Sequence, residues 1–158
     1  IYALLYGAGD EKLGSVAGGG RAVGQGLRKS FFDNLPSFTA LKDKVARAAA
    51  RGYLKGLDGR KLFVRSEHSA LNTLLQGAGA IVMKQALVMF NDELEREGLD
   101  AHFVCNVHDE WQLEVLEKDA DRVGELGVAA IVDAGEYLSL NCPLDGEYNV
   151  GNNWSETH

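Results

Sequence analysis

Two carboxylates stand side by side at residues 109 and 110, preceded by a histidine, in the run Val107-His108-Asp109-Glu110. Apolar, β-prone stretches flank that run. Phe103, Cys105 and Val107 alternate before it and Trp111, Leu113 and Val115 after it, which predicts a hairpin with His108-Asp109-Glu110 at its tip. Adjacent carboxylates repel each other and are costly to desolvate, so they favour solvent or a cation. Mg²⁺ suits such a pair, because it takes one or two carboxylates and completes its shell with water and phosphate oxygens. In two-metal phosphoryl transfer one ion lowers the pKa of the attacking hydroxyl and the other steadies the leaving pyrophosphate. A further carboxylate donor must then come from elsewhere. On the hairpin alone, Asp-Glu between two strands reads more readily as a solvated turn.

The elements that would position this tip follow from spacing. From about Ser66 to Glu97 runs the longest predicted helix, with Leu71, Leu75, Ala78, Val82, Ala86 and Met89 forming one stripe toward the core. Beside the stripe, one turn apart, stand His68, Asn72 and Gln76. Gly98 ends the helix, and a second amphipathic helix is predicted from about Asp119 to Leu138, with Val123, Leu126, Ala130, Ala134 and Tyr137 on one side. Upstream, Asp58-Gly59 between two short β-prone runs, Tyr53 to Leu57 and Arg60 to Arg65, signals another hairpin. Ile1 to Gly9 reads as the last turns of an apolar helix whose beginning is missing. A glycine-rich stretch through Gly26 follows, with room for one short helix, and then a helix from Leu27 to Asn34. Pro36 stops it, and Ser37 caps a further helix from about Phe38 to Arg51, with Lys42, Lys44 and Arg47 on its solvated side. The tail from Cys142 reads as short strand and loop.

Composition narrows the classes. A chain of 158 residues, 46% hydrophobic, can form one ordinary core or two small lobes. No uninterrupted apolar run reaches the roughly 18 residues of a membrane span, and no signal peptide is visible, so a cytoplasmic protein without membrane partners is expected. Cys105 and Cys142 have neither CxxC spacing nor a second pair, so both are expected to be reduced and structural. The net charge of -7 and pI near 5.1 argue against a generic nucleic-acid binder. Nucleic-acid contact is then compatible only with phosphate contacts made by segments outside this chain and acidic groups gathered around metal ions. Gly18 to Gly24 lacks G-x-G-x-x-G spacing and a preceding strand, which leaves those glycines as a flexible connection. A hydrolase built on His108 and Asp109 would need further ligands, and His68, His102 and His158 show no ligand spacing.

Four segments in one order resemble family A DNA polymerases. Val107-His108-Asp109-Glu110 is similar to the family's third palm motif, and Ile1 to Gly9 to the end of the fingers helix that covers the incoming nucleotide. Leu57-Asp58-Gly59-Arg60-Lys61 and Ala70 to Ala80 resemble the hairpin and long helix of the palm. Gly151-Asn152-Asn153-Trp154 with a terminal His158 is like the ending of polymerases from short-tailed phages. The resemblance covers essentially the whole chain.

It implies an α+β fold: an antiparallel palm sheet with a metal-site hairpin backed by a long helix, over residues 53–158, plus a truncated helical fingers lobe, residues 1–52. It further implies Asp109 as metal ligand, with Glu110 as its catalytic neighbour, and two Mg²⁺ ions in the intact enzyme. Gln76 would donate to the minor-groove acceptors that all base pairs share, Asn72 would support the primer-template backbone, and His108 would contact the primer end. Tyr2 would pack near the nucleotide sugar and Tyr6 near the template base. His68 stands where many cellular members carry arginine, and Arg65 is close enough to act in its place. The first palm aspartate, the triphosphate-binding arginine and lysine and the thumb should lie before Ile1. The chain alone is therefore expected to be inactive, with primer-template DNA, dNTP and the missing amino-terminal polymerase segment as partners. The alternatives are a subunit of a split polymerase and a non-catalytic DNA-binding remnant.

Overall fold

Small residues set the architecture of the amino-terminal part. The computed structural model describes residues 2–5, 8–66 and 69–157. After a single turn, α1 (Tyr2–Leu5), α2 (Asp10–Val16) and α3 (Arg21–Asn34) pack as a close helix pair. Gly14 and Gly24 are both buried, and a Cβ at Gly24 would lie 1.8 Å from the carbonyl oxygen of Asp10. Only hydrogen fits there. The glycine-rich stretch is thus not a flexible connection: α3 begins six residues before the expected Leu27, because contact with α2 outweighs the low helix propensity of Gly24 and Gly26. Arg28 fastens the pair, donating from Nε to Asp10 Oδ1 at 2.6 Å and from its other arm to the Ala8 carbonyl. That guanidinium holds the Asp10 carboxyl below its ordinary range.

Pro36 opens α4 (Pro36–Ala49) directly, with Leu35 at the N-cap in place of the expected Ser37. Proline fits the first helical position, where its missing N–H costs nothing. β1 (Tyr53–Lys55) and β2 (Lys61–Phe63) pair antiparallel around Gly56 to Arg60, as the Asp-Gly signal predicts, with Gly59 at φ +83° and the Arg60 N–H donating to Asp58 Oδ1. Val45, Ala49, Leu54, Ala70 and Leu71 form the core of this part.

α5 (Ala70–Glu97) is the long helix, and the chain divides within it into two compact units, residues 1–77 and 78–158. By length and composition alone α5 could cross a membrane, with a mean hydropathy of 1.3, but Ala70 and Leu71 join the first core, while Val82, Ala86, Phe90 and Leu94 belong to the second unit. The expected stripe holds except at Leu75, which is exposed. Gly98, at φ +66°, closes the helix: its N–H donates to Glu95 and that of Leu99 to Leu94, a Schellman ending.

In the second unit β3 (Ala101–Val107) and β4 (Glu110–Val115) form an antiparallel hairpin packed on α5 and on α6 (Ala120–Tyr137). Phe90 is the hub, edge-on to Phe103 and tilted against Trp111 with ring centroids 5.5 and 5.6 Å apart. Val123, Leu126, Ala130 and Ala134 are buried as expected; Tyr137 is 66% exposed, because the core ends a turn earlier. Both cysteines are free thiols, but Cys142 is exposed and so has no core role. By residue pattern this is the expected α+β class, with two two-stranded sheets among the described residues.

The tail is neither strand nor simple loop. Leu144 packs on Gly135, Gly146 on Ile131 and Tyr148 on Gly124, so the chain runs back along α6. It then closes in a short helix, α7 (Trp154–Thr157). Glu156 caps that turn by accepting from the Asn152 N–H and the Asn153 amide, each at 2.8 Å.

Two predictions arise from this packing. Gly24→Ala should destabilise the chain by about 1–3 kcal/mol through overpacking, whereas Gly26→Ala, with open space around it, should stabilise by about 0.5–1 kcal/mol. Urea denaturation followed by circular dichroism reads both. The donors at Asn152 and Asn153 hold the Glu156 carboxyl below its ordinary value of 4.5. Its contribution is therefore complete at neutral pH, declines below about 4.5 and is gone once pH passes below the folded-state value. Amide hydrogen exchange in residues 151–157 should accelerate over that acidic window, and Glu156→Gln should flatten the response.

Candidate functional site

The β3–β4 register decides where the acidic pair points. Val107 lies opposite Glu110, so the loop holds only two residues, His108 and Asp109, and Glu110 belongs to β4 instead of the tip. A two-residue loop must turn sharply, and His108 takes φ 55° to do so. Histidine is among the non-glycine residues that tolerate this region best. Asp109 is consequently exposed, while Glu110 is half-buried on the strand.

An irregularity between Phe103 and Cys105 resets the faces of β3. Phe103 is opposite Leu113, but beyond the bulge Asn106, not Cys105, is opposite Trp111. The simple alternation of Phe103, Cys105 and Val107 therefore breaks: one residue more on β3 than on β4 moves Cys105 and Val107 to the face shared with Gln112 and Glu110. Trp111, Leu113 and Val115 pack against the core, and Glu110 and Gln112 project on the other side. There the Gln112 amide donates to Glu110 Oε1, and its own oxygen accepts from the Thr157 hydroxyl at 3.2 Å.

Among the described residues no three His, Cys, Asp or Glu side chains gather as a metal cage. Two hard oxygen donors adjacent in sequence, one of them exposed at a tip, nevertheless fit an ion that keeps water and phosphate in most of its shell. The donor set suits part of a Mg²⁺ site and does not suit a zinc site, which requires more nitrogen or sulfur ligands.

In the first unit Asn72 and Gln76 stand four residues apart on the opening turns of α5, Asn72 half-buried and Gln76 exposed. The β1–β2 hairpin braces that stretch: Leu62 sits so close over Gly77 that a Cβ there would meet it at 2.8 Å. Arg65 is exposed in the segment between β2 and α5. Tyr2 is the first residue of α1, and Tyr6 and His68 lie outside the described residues. Gln112 and Thr157 were not singled out from sequence, since an outward strand glutamine and a tail threonine look like ordinary solvated residues.

Comparison with known proteins shows the family. The model of DNA polymerase family A matches residues 1–156. A DNA-directed DNA polymerase of Escherichia phage Phieco32 is 42% identical over all of this chain and that of Escherichia phage T7 is 37% identical, the chain spanning 27% and 26% of their lengths. DNA polymerase I of Pseudomonas aeruginosa is 32% identical over 99% of the chain, which spans 18% of it. Among solved structures, the polymerase domain of Pol1 from M. smegmatis, in complex with DNA primer-template and dNTP, superposes with a TM-score of 0.73 at 23% identity. That match covers 84% of this chain and 26% of the other, and shares the fold. The chain thus spans about a quarter of the phage relatives, and it belongs to DNA polymerase family A.

Proposed function

We propose that this chain is the carboxyl-terminal part of a DNA-directed DNA polymerase and supplies one side of a two-metal site for template-directed nucleotidyl transfer. The observation that carries the reading is the exposed Asp109 at a two-residue hairpin tip, with Glu110 adjoining it, in a chain of this family. Bound Mg²⁺ would supply activation of the primer hydroxyl and charge neutralisation at the leaving pyrophosphate. Asp109 is the residue that would hold it, and Glu110 adds negative charge beside it. His108, forced outward by the same turn, would meet the primer end. Gln76 would donate to minor-groove acceptors and Asn72, one turn earlier, would support the backbone, with Arg65 and His68 on the duplex nearby. Tyr2 would pack on the sugar of the incoming dNTP and Tyr6 by the template base. The division into fingers (1–52) and palm (53–158) that we assign is one of role and does not follow the two packing units.

Charge distribution supports DNA as the partner. The net -7 is an average over opposites: residues 1–77 carry twelve Lys and Arg against six Asp and Glu, net +6, and residues 78–158 carry four against seventeen, net -13. Phosphate contact therefore does not have to lie wholly outside this chain, as the total charge suggested. Lys55 and Lys61 are directly opposite each other in the β1–β2 register, an arrangement that repels itself and that a polyanion would relieve.

A further polymerase segment supplies the remaining donors in this reading, because two divalent ions need more carboxylate than Asp109 and Glu110 provide. One side of β3 pairs with β4, and beside its bulge lies a groove of about 480 Å³ where Val88, Phe103 and Val104 are exposed. Such a surface favours burial by that segment. The chain alone is inactive on this account, and the intact enzyme works in the cytoplasm, that of the host if it is phage-encoded.

Primer extension with Mg²⁺ is the test. It should be absent with this chain alone and appear when the chain is joined to the amino-terminal part of a phage relative. In that form Asp109→Ala should lower extension about a thousandfold or more. Retention of activity in Asp109→Ala would overturn the ligand assignment. Gln76→Ala should lower kcat/KM about three- to tenfold, the value of one hydrogen bond, with similar loss for every template base.

A further inference from the structure

We propose that the carboxyl-terminal turn is a positioning device for the metal-site hairpin, acting through Gln112 and Thr157. The inference rests on the reading of Asp109 and Glu110 given above. Its geometry lies wholly within residues 78–158. Strand alternation places Glu110 and Gln112 on one face of β4, two residues apart, and turns Trp111 between them into the core. The Gln112 side chain is held at both ends. Its amide nitrogen donates to Glu110 Oε1 and its carbonyl oxygen accepts from Thr157 Oγ1 at 3.2 Å; a flipped amide would set its oxygen against the Glu110 carboxylate, acceptor against acceptor, so the Glu110 end fixes the orientation. The same threonine hydroxyl lies 3.3 Å from the Trp154 carbonyl and shares its single proton between the two acceptors.

Thr157 is itself placed by structure far along the chain. Leu144, Gly146 and Tyr148 pack back along α6, and a Cβ on Gly124 would fall 2.2 Å from the Tyr148 ring, so glycine there is what lets the tail approach. Tyr148 also reaches Asp121, at 3.5 Å from its hydroxyl. The Glu156 cap then folds residues 152–157 into the turn that presents Thr157 to the strand. Glu110 adjoins Asp109 in the chain, so what fixes the Glu110 carboxylate fixes the negative charge set beside the metal ligand. Outer groups of this kind hold the surroundings of a metal ligand, and their loss commonly weakens the metal by tenfold or more.

The experiment uses the intact polymerase carrying this chain, bound to primer-template with a chain-terminated primer. Mg²⁺ affinity is measured by titration calorimetry, independent of turnover, and hydrogen exchange of residues 149–157 is followed with and without Mg²⁺. Thr157→Val and Gln112→Leu should each weaken Mg²⁺ binding about tenfold. Their combination should be no weaker than Gln112→Leu alone, since both cut one chain of contacts. Thr157→Ser, which keeps the hydroxyl, should bind as the parent does, and Mg²⁺ should slow tail exchange in the parent but not in Gln112→Leu. Parent-like affinity in Thr157→Val, or additive losses in the double variant, would overturn the proposal. If Thr157→Val fails to fold, Gln112→Met reads the same contact with side-chain length kept. Asp109→Ala separates the two levels: Mg²⁺ binding unchanged in that variant defeats the underlying site, whereas loss there together with no effect at Gln112 and Thr157 defeats the positioning role alone.

Discussion

The second unit depends on the antiparallel register that sets Val107 against Glu110. With those two residues paired, only His108 and Asp109 remain to reverse the chain, and a loop that short leaves no choice about exposure. The register is in turn pinned from beneath, where Trp111, Leu113 and Val115 pack against the surface of Phe90, Leu94, Val123 and Leu126. A slip by one residue would turn Trp111 outward and Gln112 and Glu110 into that apolar layer, which neither the amide nor the carboxylate could tolerate unpaired. The hydrophobic side of β4 thus specifies the chemistry of its polar side.

The bulge in β3 follows from the same constraint. Phe103 must meet Phe90, and Asn106 must meet Trp111 across the ladder, yet strict alternation would place them on opposite faces. An extra residue at Val104 reconciles them, and leaves that valine 67% exposed. The apolar groove along β3 is a consequence of the register.

Much of this was legible because local chemistry and tertiary packing agree. Asp58-Gly59 turns a hairpin, Gly98 ends α5, and Val123, Leu126, Ala130 and Ala134 face inward, each for a reason contained within a few residues. What could not be read depends on a distant partner. Gly14, Gly24 and Gly26 look like linker until α2 and α3 are set against each other, when the absence of a side chain at the first two becomes the contact itself. Glu110 reads from sequence as part of the tip because nothing in a hydrophobic pattern distinguishes a three-residue loop from a two-residue one. Leu75 and Tyr137 keep the helical period yet lie beyond the ends of their cores. The tail carries no periodic signal, since its order comes from the glycines of α6 and the cap at Glu156.

Charge behaves the same way. A total of -7 describes neither unit, since a basic first unit and a strongly acidic second one cancel in the sum. Of the four cationic side chains in residues 78–158, Arg96, Lys118 and Arg122 are engaged with carboxylates of their own unit, Arg122 with both Glu97 and Glu125. Those pairs are largely solvent-exposed and add little to stability. With seventeen carboxylates against four Lys and Arg, the potential over this unit is set by its carboxylates. A polyanion alone would be repelled there, and a divalent cation with a phosphate in its shell would be drawn in. On the proposed function, acidity, which as a bulk property counts against nucleic-acid binding, would be a reason for metal to mediate it.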